Sequence, residues 1–147
     1  MKIAIGCDHG AYHLKETVKQ HLLDLGHSVC DVGCYSLDSV DYPEYAFKVG
    51  EAVVSDEADR GIVLCTTGIG VSICANKVKG VRCALCTFPQ QAKMTRMHND
   101  ANVLALGAGY VSDNLALEIV DIWMNTEFEG GRHARRVNQI SDYENRT

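Results

Sequence analysis

Short apolar runs alternate along this chain with longer stretches in which apolar residues recur every third or fourth position, the pattern of strands interleaved with amphipathic helices. Residues 2–6 read as a first strand. Residues 11–25 follow as a helix with Leu14, Val18, His21, Leu22 and Leu25 on one face, and Gly26 stands where a helix C-cap belongs. A second strand is predicted over 27–32 and a polar loop over 33–42. Pro43 suits a helix start, and the spacing carries that helix to about Ser55 with Tyr45, Ala46, Val49 and Val53 inward. Gly61 to Leu64 has the pattern of a buried strand, and Val71 to Lys77 that of a helix. Further strands are predicted over 81–86 and 101–106, with helices from Pro89 to Met97, from Ser112 to Met124 and from Arg132 onward. Five strands alternating with helices imply parallel βαβ units. The expected architecture is α/β: a Rossmann-like three-layer fold, a five-stranded parallel sheet with helices on both faces, and a C-terminal helix.

That frame gives residues 60–77 their meaning. The third strand ends at Cys65, and Thr66, Thr67, Gly68, Ile69 and Gly70 form a glycine-rich turn that opens a helix. Open α/β sheets bind ligands at the carboxyl ends of their strands. A helix start supplies unpaired N–H groups and a positive dipole end, suited to an anion or a developing oxyanion. The same field favours a thiolate at Cys65. One segment could therefore supply both a base and an oxyanion stabiliser, although a buried cysteine beside a tight turn is also a common core feature. Asp8 and His9 follow the first strand and fall on the same sheet edge. Asp8 could bind a sugar hydroxyl and His9 a phosphate, or Asp8 could simply cap a helix. His98 and Asn99 could act in acid–base chemistry, yet they precede the fifth strand and so lie at its wrong end. To meet Cys65 they would have to come from another subunit. Arg132 and Arg136 are four apart, share a helical face, and could clamp a dianion with forked donors.

Composition narrows the classes. At 147 residues, one domain spanning 1–147 is expected. A net charge of −5 argues against general nucleic-acid binding. No apolar stretch approaches a membrane span, and the start reads as a strand rather than a signal peptide, so a cytoplasmic location is the default. Seven cysteines, an odd number, point to reduced thiols. Cys83 and Cys86 sit three apart in a predicted strand and so face opposite ways, which rules out joint chelation. No metal site is expected. Gly68-x-Gly70 lacks the third glycine of a dinucleotide fingerprint, and no P-loop lysine follows.

Read in order, Gly-Cys-Asp8-His9-Gly, Asp41-Tyr42-Pro43, Cys65-Thr-Thr-Gly-Ile-Gly-Val-Ser, Ala75-Asn76-Lys77, His98-Asn99-Asp100-Ala-Asn102 and Glu129-Gly-Gly-Arg132-His133 closely resemble the type B ribose-5-phosphate isomerases, a family that includes galactose-6-phosphate isomerase subunits. The resemblance runs from about residue 2 to residue 140. It implies conversion of D-ribose 5-phosphate to D-ribulose 5-phosphate through a cis-enediol, a pentose phosphate pathway step needing no metal or cofactor. It implies Cys65 as the proton-transfer base, Thr67 beside it, and His98 of a neighbouring subunit in ring opening. Asp8, His9, Tyr42, Thr66 to Gly70 and Asn99 would bind sugar or enediolate, and Arg132 and Arg136 the phosphate. It further implies a homodimer or homotetramer with active sites at the subunit interface. The family usually has Cys-Gly-Thr-Gly where this chain has Cys65-Thr66-Thr67-Gly68, and often an arginine where it has Gly109. A weaker grip on phosphate or a different sugar would follow. Isomerisation of another phosphorylated aldose, and a non-catalytic sugar-phosphate-binding subunit, are the alternatives.

Overall fold

The computed structural model describes residues 1–146. Its strands are β1 (Lys2–Cys7), β2 (Ser28–Asp31), β3 (Arg60–Cys65), β4 (Cys83–Leu85) and β5 (Val103–Gly107). They form one parallel sheet in the order β2-β1-β3-β5-β4. The helices are α1 (Tyr12–Asp24), α2 (Tyr42–Val54), α3 (Ile69–Lys77), α4 (Pro89–Asn99), α5 (Asp113–Asn125) and α6 (Arg132–Glu144), and a 3₁₀ turn, His9–Ala11, joins β1 to α1. The expected three-layer α/β architecture with its C-terminal helix is the one adopted.

Strand alternation divides the core in two. Ile3, Ile5, Ile62, Leu64, Leu104 and Leu106 point into one layer, where α1 and α5 cover them and Trp123 is fully buried. Ala4, Val63, Cys65, Val103 and Ala105 point into the other, beneath α2 and α3. The second layer is built from smaller residues, so α2 rides close to the sheet. A Cβ on Gly61 would come within 2.5 Å of Val49 Cγ1. Cys83 packs against the α2–α3 layer and Cys86 lies in the α1–α5 layer, the opposite facing that strand geometry requires. Burial pushes both thiols up, that of Cys86 to about 12.

Several boundaries differ from the pattern, for local reasons. Gly26 turns at φ +87, so α1 stops at Asp24 and Leu25 is exposed rather than inward. His21 lies at the rim, where its Nε2 is 2.6 Å from Asp121 Oδ1. β4 is shorter than predicted because the Arg82 backbone pairs with Asn102 instead, its N–H donating to Asn102 Oδ1 at 2.7 Å. β5 starts late because the Ala101 carbonyl accepts from Arg96 at 2.8 Å. No helix among the described residues is long and apolar enough to cross a membrane.

Candidate active site

β1 and β3 are neighbours, but β1 leads to α1 on one face and β3 to α3 on the other. Their carboxyl ends therefore border a switch-point crevice. The crevice has a volume of about 430 Å³, and its walls include Asp8, Tyr42, Cys65, Thr66, Thr67 and Gly70. Cys65 keeps only 4% of its surface exposed, yet it opens onto this space. Its Sγ accepts the Gly68 N–H at 3.1 Å, and Thr67 Oγ1 lies 3.9 Å from the sulfur. Thr67 Oγ1 also accepts the Ile69 N–H at 3.1 Å, fixing the hydroxyl at the start of α3. Gly68 makes this turn possible: its φ is +76, and a Cβ there would lie 2.9 Å from the Gly107 nitrogen. The turn is held from outside by the segment that follows β5, since the N–H groups of Ala108 and Gly109 donate to the carbonyls of Cys65 and Thr66 at 2.9 and 2.8 Å. Thr66, where a glycine is usual in the similar family, is exposed and is not among the positive-φ residues, so its side chain is carried without backbone strain.

Asp8 is 8% exposed. Its Oδ1 accepts the Gly10 N–H at 3.0 Å, capping the 3₁₀ turn, and among the described residues its Oδ2 has no partner. Capping and facing the crevice are thus compatible. His9 Nδ1 accepts the Val40 N–H at 3.1 Å, which leaves the neutral ring's proton on Nε2. Tyr42 opens α2 with its ring across α3, where a Cβ on Gly70 would come within 2.6 Å of Tyr42 Cζ. The absent side chain at Gly70 lets that ring lie over the helix start.

His98, Asn99, Arg132 and Arg136 are elsewhere. In the β3–β5 register Gly61 pairs with Val103 and Cys65 with Gly107, so the end of α4 enters β5 at the sheet edge opposite Cys65. Within one chain the fold brings together the Cys65 group and, separately, the His98 group. In the second group the His98 and His133 rings stack with centroids 4.2 Å apart and planes 11° from parallel. Gly130 and Gly131 adopt φ of +69 and +56, the reversal that lays α6 against α4. Arg132 and Arg136 are exposed on the first turns of α6 and pair with no carboxylate among the described residues. The α4–β5 turn is pinned by two further arginines. Arg96 Nη1 donates to Asp100 Oδ1 at 2.8 Å, and Arg82 Nη2 donates to the Asp100 carbonyl at 2.9 Å. The Arg96–Asp100 pair follows ordinary i,i+4 spacing, but the Arg82 support is invisible in the sequence, because neither spacing nor periodicity links residue 82 to residue 100.

Candidate ligand atoms of His98, Glu129 and His133 lie within 4.8 Å of one another. Imidazole lone pairs lie in the ring plane, so two rings only 11° from parallel direct them side by side rather than onto one ion. The arrangement is a stacked pair with a carboxylate, not a preformed metal cage. Burial, with His98 and Arg132 adding to it, holds His133 below the usual imidazole range.

An open parallel sheet that presents a thiol and a helix start at its switch point is an architecture of α/β enzymes acting on small ligands. The sequence model of the ribose/galactose isomerase family matches residues 3–140, and the chain belongs to that family of isomerases. It is 47% identical to ribose-5-phosphate isomerase B of Escherichia coli over 145 residues, 99% of this chain and 97% of the relative. The structure of Clostridium thermocellum ribose-5-phosphate isomerase B superposes with a TM-score of 0.97 at 55% identity, covering 98% of this chain and 97% of the other. That of Mycoplasma genitalium ribose-5-phosphate isomerase B with bound ribulose-5-phosphate superposes with a TM-score of 0.95 at 41% identity, covering 99% and 97%.

Proposed function

We propose that this isomerase interconverts D-ribose 5-phosphate and D-ribulose 5-phosphate, with Cys65 as the base. The observation that carries the reading is the Cys65 sulfur in the switch-point crevice, 3.1 Å from the Gly68 amide and beside the opening turn of α3. A thiolate there removes the C2 proton of the open-chain aldose as O1 takes up a proton, giving the cis-enediol, and then returns the proton to C1 as the O2 hydroxyl gives its proton up, leaving the C2 ketone. Negative charge develops on the substrate oxygens, where the Thr67 hydroxyl and the Gly70 and Val71 N–H groups, next after the Ile69 N–H that Thr67 engages, can receive it. Asp8 and His9 hold hydroxyls, and Tyr42 closes one wall.

The remaining parts come from a second copy of the chain. His98 of the partner subunit acts in ring opening: the anomeric hydroxyl loses its proton, the C1–O4 bond breaks, and O4 takes up a proton. Asn99 of the partner subunit binds the sugar, and the partner's Arg132 and the partner's Arg136 grip the phosphate. The opposite-edge placement of the two groups supports this division, because one chain cannot close them around one sugar. A symmetric pair gives each subunit's crevice the other's arginines.

The test is turnover of ribose 5-phosphate by purified protein in the presence of a chelator. Metal-independent turnover is expected, and Cys65→Ala should lower kcat by about a thousandfold while still binding ribulose 5-phosphate. Undiminished kcat in that variant refutes the base. Gly109, where the family often has an arginine, favours one second reading: a preference for another phosphorylated aldose. A panel of pentose and hexose phosphates ranked by kcat/KM decides between them.

A further inference from the structure

A titratable pair that this chemistry does not use, His133 with Glu129, touches His98 directly. His133 is 6% exposed and stacks on the His98 ring at 4.2 Å and 11°. Its Nε2 is 3.1 Å from Glu129 Oε2 but off the hydrogen-bond axis, and among the described residues it has no formed hydrogen bond. A polar atom so buried without a bond is costly unless the site uses its position. Glu129 is itself fixed, since its N–H donates to the Met97 carbonyl at 3.1 Å, one residue before His98. The His133 N–H donates to the Gly130 carbonyl at 3.0 Å, locking the start of α6. An imidazole on the last turn of a helix otherwise has free χ rotation. Here one of its faces is covered by a second flat ring, with a carboxylate at that ring's edge.

We infer that His133 is a positioning residue for ring opening: together with Glu129 it fixes the plane of the His98 ring, and so the direction in which that ring exchanges protons with the cyclic sugar. The inference rests on the reading of His98 above. It assigns no substrate contact to His133 or Glu129. Misplacing an acid–base group by about 1 Å can cost about a hundredfold in rate, and a free ring would lose its aim by at least that much.

The experiment separates ring opening from proton transfer. Ribulose 5-phosphate cannot form a furanose, because its C5 oxygen carries the phosphate, so its C1 proton exchanges with solvent through the enediol without ring opening. Deuterium incorporation at C1 of ribulose 5-phosphate in heavy water therefore reports the Cys65 step alone, and steady-state turnover of ribose 5-phosphate reports both. His133→Ala should lower ribose 5-phosphate turnover about 10- to 100-fold while leaving the exchange rate within about threefold. His133→Phe, which keeps a flat ring beneath His98, should recover most of the turnover, and Glu129→Gln should fall between. A parallel loss of both rates in His133→Ala and His133→Phe would mean a structural role only and overturn the inference, as would full turnover in His133→Ala. Two reference variants test the reading beneath it: Cys65→Ala should abolish exchange, and His98→Asn should lose turnover but keep exchange. Failure of either points to the parent reading rather than to His133.

Discussion

Lys15 shows what holds the crevice from behind. Its side chain is wholly buried, and its Nζ donates to Asp31 Oδ1 and Oδ2 at 2.8 and 2.9 Å and to the Cys34 carbonyl at 2.6 Å. Cys34 in turn donates its N–H to the Cys7 carbonyl at 2.9 Å, immediately before Asp8. Burial alone would neutralise both charges, but the bonds between them outweigh it, holding Lys15 above its usual range and Asp31 below. A carboxyl depressed in the folded state contributes stability above its unfolded value of about 3.9 and loses that contribution as pH falls through the folded value. Thermal unfolding followed from pH 7 downward should therefore show Asp31's share lost only below about pH 4, and Asp31→Asn should flatten that acid limb. Lys15→Met strands a buried carboxylate with Lys19 as its one remaining cation among the described residues, at 2.8 Å. It should cost about 3 kcal/mol, and the double variant with Asp31→Asn should recover part of the loss. This pair was not legible in the sequence, because Lys15 and Asp31 sit on different elements 16 positions apart. Cys65 was legible because strand, thiol, glycine turn and helix are contiguous, so local rules place them without tertiary knowledge.

Among the elements, α2 packs closely onto β3. Gly61 sits in β3 under α2, where an added Cβ would meet Val49 Cγ1 at 2.5 Å and Val53 Cγ2 at 3.1 Å. Both neighbours are β-branched and stiff at χ1, so the helix rather than a side chain must yield. Gly61→Ala should destabilise by about 1–3 kcal/mol in denaturant titration. Because β3 ends at Cys65 and α2 begins at Tyr42, it should also raise KM by shifting one crevice wall against the other. A stability loss with KM unchanged would show that α2 tilts at its far end instead. Element type was readable throughout from hydrophobic rhythm, and so was the opposite facing of Cys83 and Cys86. Strand order was not: β5 inserts between β3 and β4, a matter of which strands pair across the sheet, which no periodicity records. The ends of β4 and β5 were missed for a related reason. There the backbone is claimed by side chains from afar, Asn102 and Arg96, rather than by the ladder.

At the scale of the molecule, the separation of the two residue groups is the most consequential fact. Asp8, Tyr42, Cys65 and the α3 start share one sheet edge, while His98, Asn99, Arg132 and Arg136 gather at the other. If each working site takes its base from one subunit and its ring-opening histidine from the other, two defective chains can repair one another. Cys65→Ala and His98→Asn should each be nearly inactive on ribose 5-phosphate. Mixed, unfolded together and refolded, half of the resulting dimers carry one chain of each kind. In such a dimer one site holds both defects and the other holds neither. About a quarter of wild-type activity should therefore return, since half the dimers have one of their two sites intact. A tetramer built from such dimers gives the same fraction, because the count depends only on pairs. Mixing without subunit exchange should restore nothing, which controls for carry-over of wild-type enzyme. Were each chain to hold a complete site of its own, refolded mixtures would stay as inactive as their parents, and the division of labour between subunits would have to be abandoned while Cys65 could still be the base.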